Sequence, residues 1–429
     1  MRRRAGFALL AVAALATSGC TGSSPASSRA TAKGVAPQRF SWVQDGTIPG
    51  IALASVTADP VTGATYVGGS LPAAASSAYK GPLIPGGTRK PVLWERSPTG
   101  AWRDAPIAVT SFYGAQATLA SMSSYQRLTA LGAVAGGAHA NPRPSFFAGG
   151  PGGIAEHEQN FYVWGGENAI GIVGVAAGPD RLLMVGEWAP DGHRASGALW
   201  TSADGRAYVR HDEIPGLGDS LGGRRTTAPL AASYAAGRFV VVGSVTDLTK
   251  PGLSIVPAVW LSDGLSVVQG TLPATPGELG GPTDVTCDAP AAGRSTDCLA
   301  AGLLTGRGAQ TLHAWRIEVR GAPASAATGH ELDLTGCAAP APAPDAGSPT
   351  PRAPTVRVSV GPDGTGWVVA STSRSGRACR VTGSTARPVT LPAGCVPAAV
   401  EEVQGAPGGP PVAVLVCTAA AGATTYHSG

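Results

Sequence analysis

The seven cysteines are the residues of this chain with the plainest chemistry, and their spacing divides them as one and six. Cys20 stands alone near the start, whereas Cys287, Cys298, Cys337, Cys379, Cys395 and Cys417 fall in the last third. No two form a C-x-x-C pair, so the paired ligands of a tetrahedral zinc site are missing and no metal site is expected. An even set without that spacing points to disulfides and to an oxidising compartment. Spacing alone does not choose among the fifteen pairings that six cysteines allow. Seven histidines (139, 157, 193, 211, 313, 330, 427) are scattered, with no pair at ligand spacing. Neither a phosphate loop nor a dinucleotide fingerprint is present, and no cofactor is expected.

The surroundings of Cys20 say where the chain goes. Arg2-Arg3-Arg4 is a positive n-region, and Ala5 to Ala16 is an apolar run too short for the ~20 residues that span a membrane. Thr17-Ser18-Gly19-Cys20 then resembles a bacterial lipobox, departing from it at Thr17, where that pattern carries Leu. The resemblance implies cleavage before Cys20 and a diacylglyceryl group on its thiol, with palmitate-type acylation. Thr21 to Gln38 is rich in Ser, Ala, Thr, Gly and Pro without apolar periodicity, as in a flexible tether. The expected organisation is a signal peptide over 1–19, a lipidated tether over 20–38 and one folded domain over 39–429.

Three short motifs invite an enzymatic reading, and their contexts argue against it. Gly218-Asp-Ser-Leu221 matches the nucleophile tetrapeptide of one esterase family, but it sits in a Gly-rich stretch with no Asp-x-x-His downstream. Ser77-Ala-Tyr-Lys80 has the Ser-x-x-Lys spacing of penicillin-binding proteins, without a later Lys-Thr-Gly. His157-Glu158 lacks the second histidine of a zinc helix.

The elements that would position any site come from a seven-fold repeat. Apolar runs end in Trp94, Phe147, Trp200, Trp260 and Trp315, with weaker copies ending at Cys379 and Tyr426; the steps are 53, 53, 60, 55, 64 and 47 residues. Repeats of this size built of short strands predict an all-β, seven-bladed propeller of four-stranded antiparallel blades. The third period reads most clearly, with strands at Ile172–Ala177, Arg181–Gly186, Ser196–Trp200 and Ala207–His211. The inner strand of the second is expected near Ala115–Ala120, and the Pro-rich Ala338 to Pro354 as a loop insertion between blades 5 and 6. Trp200-Thr-Ser202-Ala-Asp204-Gly205 and Trp260-Leu-Ser262-Asp263-Gly264 resemble degenerate Asp-box turns of sialidase-type (BNR-repeat) propellers. That resemblance implies structural turns remote from catalysis. The three convergent arginines and Tyr-Glu pair of sialidases have no marker here.

Topology then supplies pairings. Cys287 ends one strand and Cys298 begins the next, so a hairpin bridge is expected. Cys337 and Cys395 occupy matching positions before blades 6 and 7, which pairs them with Cys379 and Cys417. The seventh period ends after its third strand, and Trp42-Val-Gln-Asp-Gly-Thr-Ile-Pro-Gly50 lines up with Tyr208 to Gly216, the outer strand and exit of blade 3. Arg39 to Val43 is therefore expected to pair antiparallel with the strand ending near Tyr426 and close the ring.

Removing Arg2, Arg3 and Arg4 leaves 28 basic against 27 acidic residues, which gives no electrostatic footprint for nucleic acid. Long polar loops between second and third strands form the candidate binding surface: Lys80, Arg89, Lys90, His139, Asn141, Arg143, Trp188, Asp191, His193, Arg194, Asp247 and Lys250. The expected function is a non-enzymatic scaffold, held by lipid on the extracytoplasmic face of a bacterial cell membrane, that binds an unknown protein or glycan. A sialidase-like glycan hydrolase or lyase and a structural envelope protein are the alternatives. Clustered Arg, Glu and Tyr at the channel would favour the hydrolase, and exposed aromatics would favour binding. If the n-region, apolar run and Gly19-Cys20 act as their order implies, mass spectrometry of the membrane fraction finds lipid on an N-terminal Cys20. Cys20→Ala then releases the protein to the medium, and an unmodified Cys20 in a membrane-held protein refutes the assignment.

Overall fold

The computed structural model describes residues 36–72, 89–98, 100–134, 143–191, 193–218, 220–249, 252–288, 296–306, 308–320, 326–344, 351–403, 410–419 and 422–428. Cys20, Ser77, Lys80, His139, Asn141 and Lys250 lie outside them, as do the expected signal peptide and most of the tether. Seven small antiparallel sheets form a ring, a seven-bladed β-propeller. The inner strands are Ala52–Ala58, Thr118–Tyr125, Ala169–Ala177, Arg225–Ala235, Asp284–Cys287, Thr355–Val360 and Val396–Val403. Each neighbours the next, and the seventh neighbours the first. Second strands such as Leu182–Trp188 and Arg238–Asp247 are buried along most of their length, because blades pack on both of their faces.

The repeated aromatics fall on the third strands, and three of them explain the repeat. Trp200, Trp260 and Trp315 are at most 1% exposed. Their indole N–H groups donate to the carbonyls of Val163 (2.8 Å), Gly216 (3.0 Å) and Pro273 (3.1 Å). Each acceptor lies in the connection that delivers the chain into that tryptophan's own blade. A buried N–H needs a partner, and the ring fills the space between blade and connection. In blade 6 the third-strand position is Cys379, and its partner Cys337 lies in the connection into blade 6. A disulfide thus takes the place of the tryptophan tie. Cys287–Cys298 and Cys395–Cys417 are bonded as well, completing the expected pairs. Cys287 and Cys298 are directly opposite in their ladder, with Cα atoms 3.9 Å apart. The next pair, Asp288 N–H to Asp297 carbonyl, carries the hydrogen bond. The bridge therefore spans a non-hydrogen-bonded pair, where strands approach most closely.

The Asp-box-like turns are turn formers. The Ser202 and Ser262 hydroxyls accept from the N–H groups of Gly205 and Gly264, both 2.9 Å. Asp204 and Asp263 cap the following amides, and both glycines have positive φ (81° and 95°).

The chain start closes the ring, with a shifted span. Trp42–Pro49, rather than Arg39 to Val43, pairs antiparallel with Gly422–Ser428 as the outer strand of blade 7. Asp45 bulges from the ladder and pairs with Arg96 of blade 1 at 2.6 Å. Ahead of the strand, Phe40 packs on Trp42 (4.9 Å) and Trp367 (5.3 Å), side-chain packing that took the place of a ladder there. Blade 2 departs from four strands: Ile107–Ala108 lies parallel to its outer strand Gly153–Glu156 as a fifth. Its inner strand starts later than expected because Gly114–Gln116 forms a 3-10 turn. The Pro-rich stretch carries a two-residue ladder, Ala343–Pro344 with Pro351–Arg352, outside the blades.

The clasp joins the most distant parts of the chain, so its loss should weaken the whole ring. Thermal unfolding of a chain lacking residues 39–49 is expected at least ~10 °C below that of the full chain. A chain lacking residues 21–34 should melt within about 2 °C of it. Equal melting of the two deletions contradicts the clasp.

Candidate functional site

The seven inner strands surround the ring axis, and runs of residues along them line the space between. The result is a channel with two cavities. The wider one, about 630 Å³, opens on the face that carries the turns between first and second strands. The other, about 580 Å³, opens on the face of the inter-blade connections. Arg357 on the inner strand of blade 6 lines both and donates across to the Ala54 carbonyl of blade 1 at 3.2 Å.

Two carboxylates flank that arginine. Asp284, on blade 5, accepts the Val358 N–H at 2.9 Å, and Thr286 of the same strand donates to the Val358 carbonyl at 2.9 Å. Burial raises the Asp284 pKa, and Arg357 and the Val358 and Val285 amides oppose the rise. Glu401, on blade 7, is raised well above the usual carboxylate range, first by burial and next by the Asp284 charge, with Arg357 opposing. Nearer the mouth, burial and the charge of Asp297 push Asp288 up to about 6. Tyr125 and Tyr234 meet edge to face at the mouth, with centroids 5.5 Å apart. Arg, Glu and Tyr therefore share the channel, but Arg357 is the one arginine among the described residues that line it. A three-arginine carboxylate clamp is not assembled there.

None of the expected surface residues that are described lines either cavity. Arg89 reaches Ser70 (3.5 Å), and Lys90 is exposed beside it. Asp191 accepts from Asn168 (2.9 Å), and His193 lies 3.5 Å from Glu213. Arg194 packs over Gly223, and Asp247 caps the Thr249 amide at 2.9 Å. Trp188 is buried beneath the Arg210 guanidinium, 3.7 Å from its ring centroid.

Arg143 leads to something larger. Its guanidinium lies over the rings of Tyr113 (5.7 Å) and Phe161 (5.5 Å). Phe161 touches Tyr162 (5.8 Å), whose carbonyl accepts from Arg210 at 2.7 Å. The rings are open to solvent, Tyr113 at 37%, Phe161 at 51% and Tyr162 at 76%. They come from the connections into blades 2 and 3, not from the loops the sequence pointed to. The run Phe161-Tyr-Val-Trp164 in a chain with 6% aromatics was a signal for them. For the channel the signal was a charge inside an inner strand, as in Thr355-Val-Arg-Val and Val400-Glu-Glu-Val. Ser220 of the esterase-like tetrapeptide is held in a backbone bridge with Arg225 between blades 3 and 4.

No family model and no curated protein matches the chain. Among solved structures it is similar to YCF48 from Cyanidioschyzon merolae, at 12% identity and a TM-score of 0.47, over 90% of this chain and 98% of that one. It is also similar to the β-propeller domain of the Trilobed protease from Pyrococcus furiosus, at 9% identity and a TM-score of 0.44, over 89% and 94%. Trypanosoma rangeli sialidase is similar at 9% identity and a TM-score of 0.41, with 92% of this chain and 60% of the sialidase covered. Likenesses this distant say nothing about activity.

The channel electrostatics have a measurable sign. A carboxylate whose pKa is raised on folding stabilises the fold at low pH, and that contribution disappears as pH climbs through the folded-state value. Glu401→Gln removes the charge, so the variant should gain stability relative to the parent at pH 7.5 and lose that advantage at pH 4.5. Paired thermal melts read this difference, and a gain that grows on acidification contradicts the assignment.

Proposed function

We propose that this chain is a lipid-anchored, extracytoplasmic propeller that binds a protein or glycan partner and performs no chemistry on it. The observation that carries the reading is the row of exposed rings Tyr113, Phe161 and Tyr162 on the connection face, with the part-buried Arg143 between Tyr113 and Phe161. Large aromatics and arginine dominate recognition energetics, since they present wide contact area with few rotatable bonds. Here they sit on connections held by a rigid ring, where binding residues are usually found. Three disulfides support an oxidising compartment. No helix among the described residues is long and apolar enough to cross a membrane, so attachment through Cys20 accounts for a membrane location. A glycan hydrolase draws support from Asp284 and Glu401 sharing the channel, since such enzymes use two carboxylates. Nothing specific favours a purely structural role.

The test uses the released Cys20→Ala chain and isolated cell envelopes, either intact or stripped of protein by protease. Saturable retention is expected, with a loss of about 30-fold or more in Phe161→Ser/Tyr162→Ser. Protease stripping separates a protein partner from a glycan. Retention that is undiminished in the double variant overturns the reading.

A further inference from the structure

The charges of the channel do not balance. Asp284 and Glu401 line the same cavity from blades 5 and 7, and Arg357 of blade 6 is the one arginine among the described residues that line it. Arg357 also spends a hydrogen bond on the Ala54 carbonyl. Asp284 has the Val358 amide as a further partner. Glu401 has none: part-buried and lining the wider cavity, it accepts no hydrogen bond from any described residue. A part-buried carboxylate that faces a cavity without a hydrogen-bond donor is a natural partner for a cation.

We propose that the wider cavity is a binding site for an organic cation, a primary amine on a short carbon chain, whose ammonium group pairs with Glu401. Three features point to this class. The volume of about 630 Å³ suits a small organic molecule and far exceeds a bare ion. The mouth presents the Tyr125 and Tyr234 rings, whose faces attract cations on the way in. A metal ion fits poorly, because no three metal-ligating side chains converge among the described residues. Between mouth and floor the wall offers hydroxyls (Ser55, Ser123, Thr286) and short apolar side chains, suited to the carbon chain and to a second amine. The site lies at the opposite mouth from the aromatic row, so it stands or falls separately from the partner-binding reading.

Calorimetric titration of the purified Cys20→Ala chain tests this with putrescine and spermidine as probes. Butane-1,4-diol serves as an uncharged chain of the same length as putrescine, and calcium chloride as the metal alternative. The expected result is saturable binding of the amines, none of the diol, and at least tenfold weaker amine binding in Glu401→Gln. Asp284→Asn gives an independent reading of the same charge, should Glu401→Gln fail to fold. Glu318→Gln, in an exposed pair with Arg320, serves as the control and should bind as the parent does. Absence of amine binding at millimolar concentration overturns the proposal, and so does equal binding by both channel variants. Displacement of the amines by calcium at equal concentration overturns it in favour of a metal site.

Discussion

Blades 3 to 6 are each tied through the third strand to the stretch of chain that delivers them. A propeller blade is a small sheet that buries its faces only against its neighbours, so the orientation of each blade must be set by something other than its own ladder. Here an aromatic on the third strand reaches back to the incoming connection. Trp200, Trp260 and Trp315 each bury a large ring and satisfy one N–H on a connection carbonyl. Cys379 makes the same tie covalently through Cys337. The acceptors precede the third-strand residue by similar distances, 37, 44 and 42 residues for the tryptophans and 42 for the disulfide. One geometric requirement thus accounts for the tryptophans of blades 3 to 5 and for the move to cysteine in blade 6.

The same economy governs edges. Outer strands would expose unpaired backbone groups, and several are covered by the chain that passes them. Ile107–Ala108 runs parallel to the outer strand of blade 2, and Thr271, Asp333 and Gln38 make single parallel bridges at blades 5 and 6. The last uncovered third strand, Gly422–Ser428, receives Trp42–Pro49. The ends of the propeller therefore lock each other, and the bulged Asp45 extends the lock to blade 1 through Arg96.

Two candidate sites lie on this frame, with different physics. The connection face carries rings held out in water, where binding would remove apolar area and desolvate Arg143. The channel carries part-buried charges, where the lower effective dielectric strengthens each interaction. Asp284 braces blade 5 to blade 6 through the Val358 amide, and Arg357 braces blade 6 to blade 1 through the Ala54 carbonyl, with Glu401 of blade 7 in the same cavity. The network thus spans the seam where the ring closes.

The sequence by itself determined the number of blades, the order of strands within them and the partners of the six cysteines. These follow from local patterns: strand runs, Asp-Gly turns, a periodic aromatic and the antiparallel order that places Cys337 beside Cys379. It also showed that the chain start supplies the missing outer strand, because Ile48-Pro-Gly50 and Ile214-Pro-Gly216 share one turn with positive φ at the glycine (69° and 86°). The span was off by a few residues, since Phe40 packs as a side chain instead of entering the ladder. Tertiary structure alone decided the two sites. Asp284, Arg357 and Glu401 lie on three blades, and the chain marks each only as a charge within an inner strand, with nothing to show that they meet. Tyr113 and Phe161 belong to different connections, and Arg143 to a third segment. Closing the ring turns separate solvent-facing positions into one enclosed wall and one continuous face, a consequence of curvature that no local pattern records.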